Sequence, residues 1–359
     1  MNPQDRDANN IIHAEKFSLD FKIGQMVMVG FRGTELRPDS PVVRSIRDLN
    51  LGGVWLTDNE SPMGRTLGNI KSHDQLKALN TKLQQFAEIP LFIAIDGEGG
   101  KVIRLKEKYG FPPTLSARTL GELNNPELTY SESLKIARLL KELKINFNFA
   151  PVVDLNLNPT HASLGVKERC FSDDYKNVIR HAQEVIRANH DSGIFCCIKH
   201  FPGHGSAKDD SHDGFVDVSE TWQENELRVF SELIKKQKVE AILTAHILLK
   251  RFDSDFPATL SEKIINGVLR SELGFTGLVI SDDMNMGAIK QNYTYEDAIE
   301  RAIKAGIDII LQSNVIHYDE HIAERTIEII KKLISNGRIS KERIDISFKR
   351  ILHLKENLI

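Results

Sequence analysis

Cysteine is scarce in this 359-residue chain. Only Cys170, Cys196 and Cys197 are present, an odd number, and the adjacent pair would face opposite sides of any strand. That excludes a disulfide framework and reads as an intracellular chain. No stretch reaches the roughly 18 consecutive apolar residues of a membrane span. The first residues, Met1 to Lys16, are polar and charged, without the apolar centre of a signal peptide. A cytoplasmic protein that does not engage a membrane is expected. An excess of one charge is missing too: 47 Lys and Arg face 50 Asp and Glu, a net of −3, so no general attraction to nucleic acid or anionic lipid follows. With 41% hydrophobic, 27% charged and 7% aromatic residues, the composition excludes a disordered or fibrous protein. The length suits either two average domains or one closed α/β barrel, typically ~250 residues before insertions.

What is present is a repeating alternation. Eight short, nearly continuous apolar runs occur: Met26 to Gly30, Gly53 to Thr57, Leu91 to Asp96, Asn146 to Asp154, Phe195 to His200, Ala241 to His246, Leu278 to Asp282 and Ile307 to Leu311. Continuous rather than alternating apolarity marks strands buried on both faces, as in a parallel sheet covered by helices. Helix signals fill the gaps. Ser40 and Pro41 stand where a cap and a first helical residue belong, ahead of Val42, Val43, Ile46 and Leu49. Ser261 precedes Ile264, Ile265, Val268 and Leu269, with Gly274 as a stop, and Thr294 with Asp297 resembles a capping box. Eight strand and helix units without a linker favour an α/β fold of one class, a single (β/α)8 TIM-type barrel, over a doubly wound sheet plus a second domain. The expected organisation is one catalytic barrel domain over 1–359, with a polar segment at 1–17 and a helical segment at about 336–359. Long loops at about 97–125 and 201–221 are the functional candidates.

In such barrels the reacting groups collect where the strands end. Here the runs end in Asp96, Asp154, Lys199 with His200, His246, and Asp282 with Asp283. An acidic residue after a strand commonly caps the next helix, and this is the reading for Asp154. For the set as a whole function is the better account, because a closed barrel makes these groups share one small mouth. The densest segment runs from Lys199-His-Phe-Pro-Gly-His-Gly205 to Asp210-Ser-His212. Gly203 and Gly205 make it permissive, able to bring Asp210 and His212 over a site and withdraw them. Asp210 can accept an imidazole N–H of His212 and leave the other nitrogen for proton transfer, a catalytic dyad in outline, although a surface turn explains the segment equally well. Zinc is the competing chemistry, with His200, His204, Asp210, His212 and His246 as donors. Lys199 beside the ion, and the absence of HxH or HExxH spacing, argue against it. Gly97-Glu-Gly-Gly100 is not a phosphate loop: neither phosphate-loop pattern is present, and Asp96 with Glu98 would repel the anion. These carboxylates suit a hydroxyl-rich ligand better.

The chain resembles family 3 glycoside hydrolases, specifically the single-domain bacterial β-N-acetylglucosaminidases of peptidoglycan recycling. The likeness runs in order through Lys22-Ile-Gly-Gln-Met26, Asp96-Gly-Glu-Gly-Gly-Lys-Val-Ile-Arg104, Asn148-Phe-Ala-Pro-Val-Val-Asp154, Lys199 to Gly205, Asp210-Ser-His212, Thr244-Ala-His246, Pro257-Ala-Thr-Leu-Ser261 and Ser281-Asp-Asp-Met284. The resemblance implies that Asp282 is the nucleophile and His212 the general acid/base oriented by Asp210. It implies that Asp96, Arg104, Arg169, Lys199 and His200 hold the sugar. Those roles suit a retaining glycosidase, which needs a carboxylate to attack the anomeric carbon and a proton donor that later deprotonates water. A neutral imidazole does not repel the nucleophile as a second carboxylate would. The family pattern Gly-x-Arg-Ser-Phe departs here to Gly165-Val-Lys-Glu-Arg-Cys-Phe171, which bears on Arg169. Asp283 takes no catalytic role, since two adjacent strand-end residues do not both point into the mouth.

The expectation is therefore an exo-acting retaining β-N-acetylglucosaminidase that removes terminal non-reducing GlcNAc from muropeptides, with no metal and no organic cofactor. A broader chito-oligosaccharide hexosaminidase, a GlcNAc phosphorylase and a non-catalytic sugar-binding barrel remain as alternatives.

Overall fold

The computed structural model describes residues 14–58, 68–211, 214–315 and 318–358. Each of the eight apolar runs forms a strand: β1 (Val27–Gly30), β2 (Gly53–Leu56), β3 (Phe92–Ile95), β4 (Phe147–Asn148), β5 (Phe195–Phe201), β6 (Ala241–Thr244), β7 (Leu278–Ile280) and β8 (Ile310–Gln312). They pair in parallel in chain order from β1 to β7, and β8 pairs with β1 through Val27 and Ile310. A single parallel bridge between Ile280 and Ile309 brings β7 to β8. The sheet is thus a nearly closed (β/α)8 barrel.

Helices follow the strands because the connecting segments carry apolar residues at helical spacing. In the helix Tyr175–Asp191, Val178, Ile179, Ala182, Val185 and Ile186 face the barrel. Thr294 caps the helix Tyr295–Ala305 by accepting from the Asp297 amide, and Ser261 Oγ accepts from the Ile264 amide at 3.1 Å. The segment Lys263–Glu272 is wound with wide π turns and ends before Gly274, whose φ of 71° suits a left-handed stop. Ser40 departs from its expected role. Pro41 does open the helix Pro41–Leu49, but the Ser40 hydroxyl turns back to accept from the Arg37 amide at 2.9 Å and makes no cap bond into the helix.

The base of the barrel, at the N-terminal ends of the strands, is filled by Phe92, Phe147 and Phe195, with ring centroids 5.3 and 6.0 Å apart in edge-on contact. Lys355, from the last helix Lys341–Lys355, reaches under this floor. Its buried Nζ donates to Gln25 Oε1 at 2.6 Å and the Gly52 carbonyl at 2.8 Å. Nearby, buried Asp308 takes Arg270 at 2.7 Å, Arg350 at 3.0 Å and the Ser347 hydroxyl at 2.6 Å, fastening the C-terminal helix to the barrel. The opposite end is free for chemistry. Cys170, Cys196 and Cys197 are buried free thiols, and among the described residues no helix is long and apolar enough to cross a membrane.

Candidate active site

At the C-terminal ends of the strands a cleft of about 640 Å³ opens, lined by Trp55, Asp96, Arg104, Arg169, Lys199, His200 and Asp282 among others. Asp96 leaves β3 and is almost fully buried. Its two oxygens are divided between cations: Oδ1 accepts from Lys199 Nζ at 2.8 Å and Oδ2 from Arg104 Nη2 at 2.9 Å. Burial opposes ionisation, but Lys199 and Arg104 outweigh it and hold the carboxyl far below the ordinary range. Arg104 stands in the loop after β3, with its guanidinium 5.3 Å from the Trp55 ring and a longer contact of 3.5 Å to buried Asp58.

The second carboxylate of this motif does more than repel anions. Glu98 Oε1 receives Lys199 Nζ at 2.6 Å, so the ammonium lies between Asp96 and Glu98. Arg169 binds Glu98 in a two-bond fork of 2.7 and 2.8 Å and donates to the Ser163 carbonyl at 3.0 Å. Despite the altered local sequence, Arg169 therefore reaches the mouth, and its Nη2 lies 3.4 Å from His200 Nε2. Arg104, Lys199 and Arg169 are thus arranged around two carboxylates, a network that holds long side chains in one geometry.

Asp154 is a correction. It does not cap a helix: it is buried, and its Oδ2 accepts from His200 Nδ1 at 2.7 Å while Oδ1 accepts from the amides of His200 at 3.3 Å and His204 at 2.9 Å. Burial disfavours its charge, yet His200 beside it brings its pKa down to about 2. This bond assigns the proton of a neutral His200 to Nδ1 and leaves Nε2 as an acceptor toward the cleft. Burial lowers the His204 imidazole to about 4, so it is neutral near pH 7.

Asp282 lies just beyond the end of β7, part-exposed in the cleft, with Oδ1 accepting from the Asp283 amide at 2.8 Å. Asp283 also borders the cleft, contrary to the alternation argument, because the strand has ended at Ile280 and its two-residue period no longer applies. Its carboxylate is turned to Ser313 and the Asn285 amide, and its carbonyl accepts from His246 Nε2 at 3.0 Å. His246, with Nδ1 2.8 Å from Thr259 Oγ1, is a buried buttress of the Asp283 backbone.

His212 lies outside the described residues, and Asp210, two positions before it, is partly buried. The segment before them is tied down on several sides. Gly203 adopts φ 114°, and a Cβ on Gly205 would sit 1.8 Å from the Leu155 carbonyl, so these glycines serve a left-handed bend and a close approach. Asn158 donates to the Ala207 carbonyl at 2.8 Å, His161 Nε2 to the Asp209 carbonyl at 2.9 Å, and Gly205 N–H to Glu226 Oε2 at 2.8 Å. On the far side the Ala288 amide donates to the Ser211 carbonyl at 3.2 Å. His161 and Glu226 were not among the sequence-derived candidates, Asp154 was read as a helix cap, and Glu98 was read only as a carboxylate suited to a hydroxyl-rich ligand, not as the partner of two cations. For Glu98 the signal was present, two residues after Asp96 in a glycine-rich run, but its partner Arg169 lies 71 positions away.

Residues 18–354 match the glycosyl hydrolase family 3 N-terminal domain. The chain belongs to glycosyl hydrolase family 3. It is 33% identical to a β-hexosaminidase of Tolumonas auensis over 80% of this chain and 82% of that one. It is 29% identical to β-hexosaminidase A of Pseudoalteromonas piscicida over 81% of this chain but only 52% of that protein, so it spans about half the length of that relative. The structure of a family 3 β-N-acetylglucosaminidase from Paenibacillus sp. FPU-7 superposes with a TM-score of 0.86 at 35% identity, covering 95% of this chain and 62% of that one. The (β/α)8 architecture is therefore the family's own.

Proposed function

We propose that the protein is a retaining exo-β-N-acetylhexosaminidase that hydrolyses terminal non-reducing β-linked GlcNAc from muropeptides during cell-wall recycling in the cytoplasm. The observation that carries this reading is the convergence of Asp96, Arg104, Arg169, Lys199 and His200 with Asp282 on one cleft at the strand ends. Ionised carboxylates interleaved with cations suit a ligand whose recognition consists of hydroxyl groups, each able to donate and accept. The relatives named β-hexosaminidase support the choice of an N-acetylated sugar.

In this reading Asp282 attacks the anomeric carbon while His212 protonates the departing oxygen, forming a glycosyl-aspartate. His212, oriented by Asp210, then takes a proton from water, which releases the sugar with net retention. The ties on residues 205–211 support a role in presenting Asp210 and His212, since an acid/base group must be placed within hydrogen-bond reach of its oxygen. Asp96, with its charge secured, accepts from sugar hydroxyls. His200 Nε2 offers a further acceptor, and Trp55 gives an apolar face.

One feature favours a second reading. Lys101, Lys106, Lys167 and Lys290 line the same cleft, a cationic wall that suits either an anionic muropeptide or phosphate as acceptor. Product analysis with and without phosphate separates hydrolysis from phosphorolysis. The roles themselves are tested by two variants on nitrophenyl GlcNAc. Asp282→Ala is expected to abolish turnover while retaining GlcNAc binding. His212→Ala is expected to slow natural glycosides far more than activated aryl ones and to show a burst as glycosyl-enzyme accumulates. Near-normal turnover in Asp282→Ala, or equal slowing of both substrate classes by His212→Ala without a burst, overturns the assignment.

A further inference from the structure

A second cluster of reactive side chains lies at the other end of the barrel. His190 is the penultimate residue of the helix Tyr175–Asp191, Cys196 is the second residue of β5, and Glu240 immediately precedes β6. Two consecutive elements and a third more than forty residues on thus bring an imidazole nitrogen, a thiol sulfur and a carboxylate oxygen within 4.8 Å of one another. Cys196 and Glu240 are buried, whereas the His190 side chain is 29% exposed and gives a path from solvent. His190 Nε2 lies 3.0 Å from both Glu240 oxygens, and Glu240 Oε2 also accepts the Cys196 amide at 3.2 Å.

We infer that His190, Cys196 and Glu240 form a binding site for a zinc-class divalent cation that staples this helix to β5 and β6. The donor set is the first reason. A thiolate with an imidazole selects a borderline-soft metal over magnesium or calcium, which take oxygen ligands. Geometry is the second. Ligands at tetrahedral zinc lie about 3.3 Å apart for a nitrogen and oxygen pair and somewhat more with sulfur. The His190–Glu240 separation needs only a few tenths of an ångström of widening, and the sulfur closes the rest by side-chain rotation. Charge is the third. A thiolate, a carboxylate and a neutral imidazole around a divalent ion sum to zero, so the loaded site buries no net charge, and the negative end of the helix dipole favours a cation there.

On binding, the Cys196 thiol gives its proton to solvent and forms the metal–sulfur bond. Glu240 contributes one oxygen, His190 binds through Nε2 with its proton on Nδ1, and water takes the fourth position on the exposed side. The site lies away from the reaction mouth and acts by holding the helix against β5 and β6.

The test uses the full chain after chelator treatment, titrated with Co²⁺ as the probe. One equivalent is expected to produce a thiolate-to-cobalt charge-transfer band, which Zn²⁺ then bleaches by displacement, and Zn²⁺ alone is expected to raise the thermal midpoint. Cys196→Ser should abolish the band. His190→Ala and Glu240→Gln should each weaken cobalt binding at least tenfold, while Cys197→Ser retains the band. If Cys196→Ser fails to fold, His190→Ala at its part-exposed position carries the same test. Absence of the band in the unmodified chain, its survival in Cys196→Ser, or unchanged cobalt affinity in His190→Ala overturns the proposal.

Discussion

Replacing Asp154 by asparagine keeps the shape of the side chain and deletes its charge. In the fold, burial works against ionisation, but His200 at 2.7 Å and two backbone amides bring the group down to about 2. Against an unfolded carboxyl near 3.9, the shift is just under two units, or about 2.5 kcal/mol. Because the folded pKa is depressed, this stabilisation is fully present above about pH 4 and drains away as the pH falls toward 2. Asp154→Asn should therefore lower the unfolding free energy at neutral pH by about 2.5 kcal/mol. A smaller pH-independent cost of about 1 kcal/mol is added where the amide faces donors it cannot accept from. The catalytic consequence follows from His200. Without the anion, the Nδ1–H tautomer is less strongly enforced, and a sugar hydroxyl loses a fixed acceptor worth about 1 kcal/mol, so KM should rise about fivefold with a smaller effect on kcat. Urea denaturation of both proteins across pH, with steady-state kinetics on nitrophenyl GlcNAc, reads both effects. Equal stability at neutral pH would refute the reasoning, as would a stability gap that does not narrow below about pH 4.

Asp308→Asn should cost about 3–5 kcal/mol, because it leaves the guanidinium groups of Arg270 and Arg350 around a buried site without their anion; a thermal shift equivalent to under about 1 kcal/mol contradicts this. Glu226 is raised by burial to about 7. The folded chain thus holds that proton more tightly than the unfolded one, and stability should decline by up to about 3 kcal/mol as the pH rises from about 4.5 to 7. Glu226→Gln should flatten that decline in denaturation curves, and an unchanged slope counts against it. Chelators should leave turnover intact, since the Lys199 ammonium already occupies the position between Asp96 and Glu98 that a metal ion would take. Loss of activity on chelation that zinc restores, with the thermal midpoint unchanged by the chelator, reverses this conclusion.

The barrel was legible in the sequence because a strand covered on both faces must be apolar at every position, so the eight runs stand out without any knowledge of their neighbours. The strand ends were legible for a related reason: Asp96, Lys199 and Asp282 are charged residues terminating apolar runs, and a closed parallel barrel sends all such ends to one mouth. Local signals fared unevenly. Thr294 and Ser261 cap their helices, but the Ser40 hydroxyl found a nearer donor in the Arg37 amide. Which charges neutralise one another was decided only by the tertiary structure. Glu98 meets Arg169 and Lys199, Asp154 meets His200 and His204, and Asp308 meets one arginine from an earlier helical segment and one from a later helix, across separations that no spacing rule spans. Asp154 was read as a helix cap because a carboxylate after a strand has a sufficient local explanation. Its actual partner became available only when β5 closed beside the loop after β4 and placed an imidazole 2.7 Å from the buried carboxylate. Residue type and periodicity act through the chain's own neighbours and can be read along it. The pairing of buried charges depends on which surfaces barrel closure brings together, and that belongs to the fold.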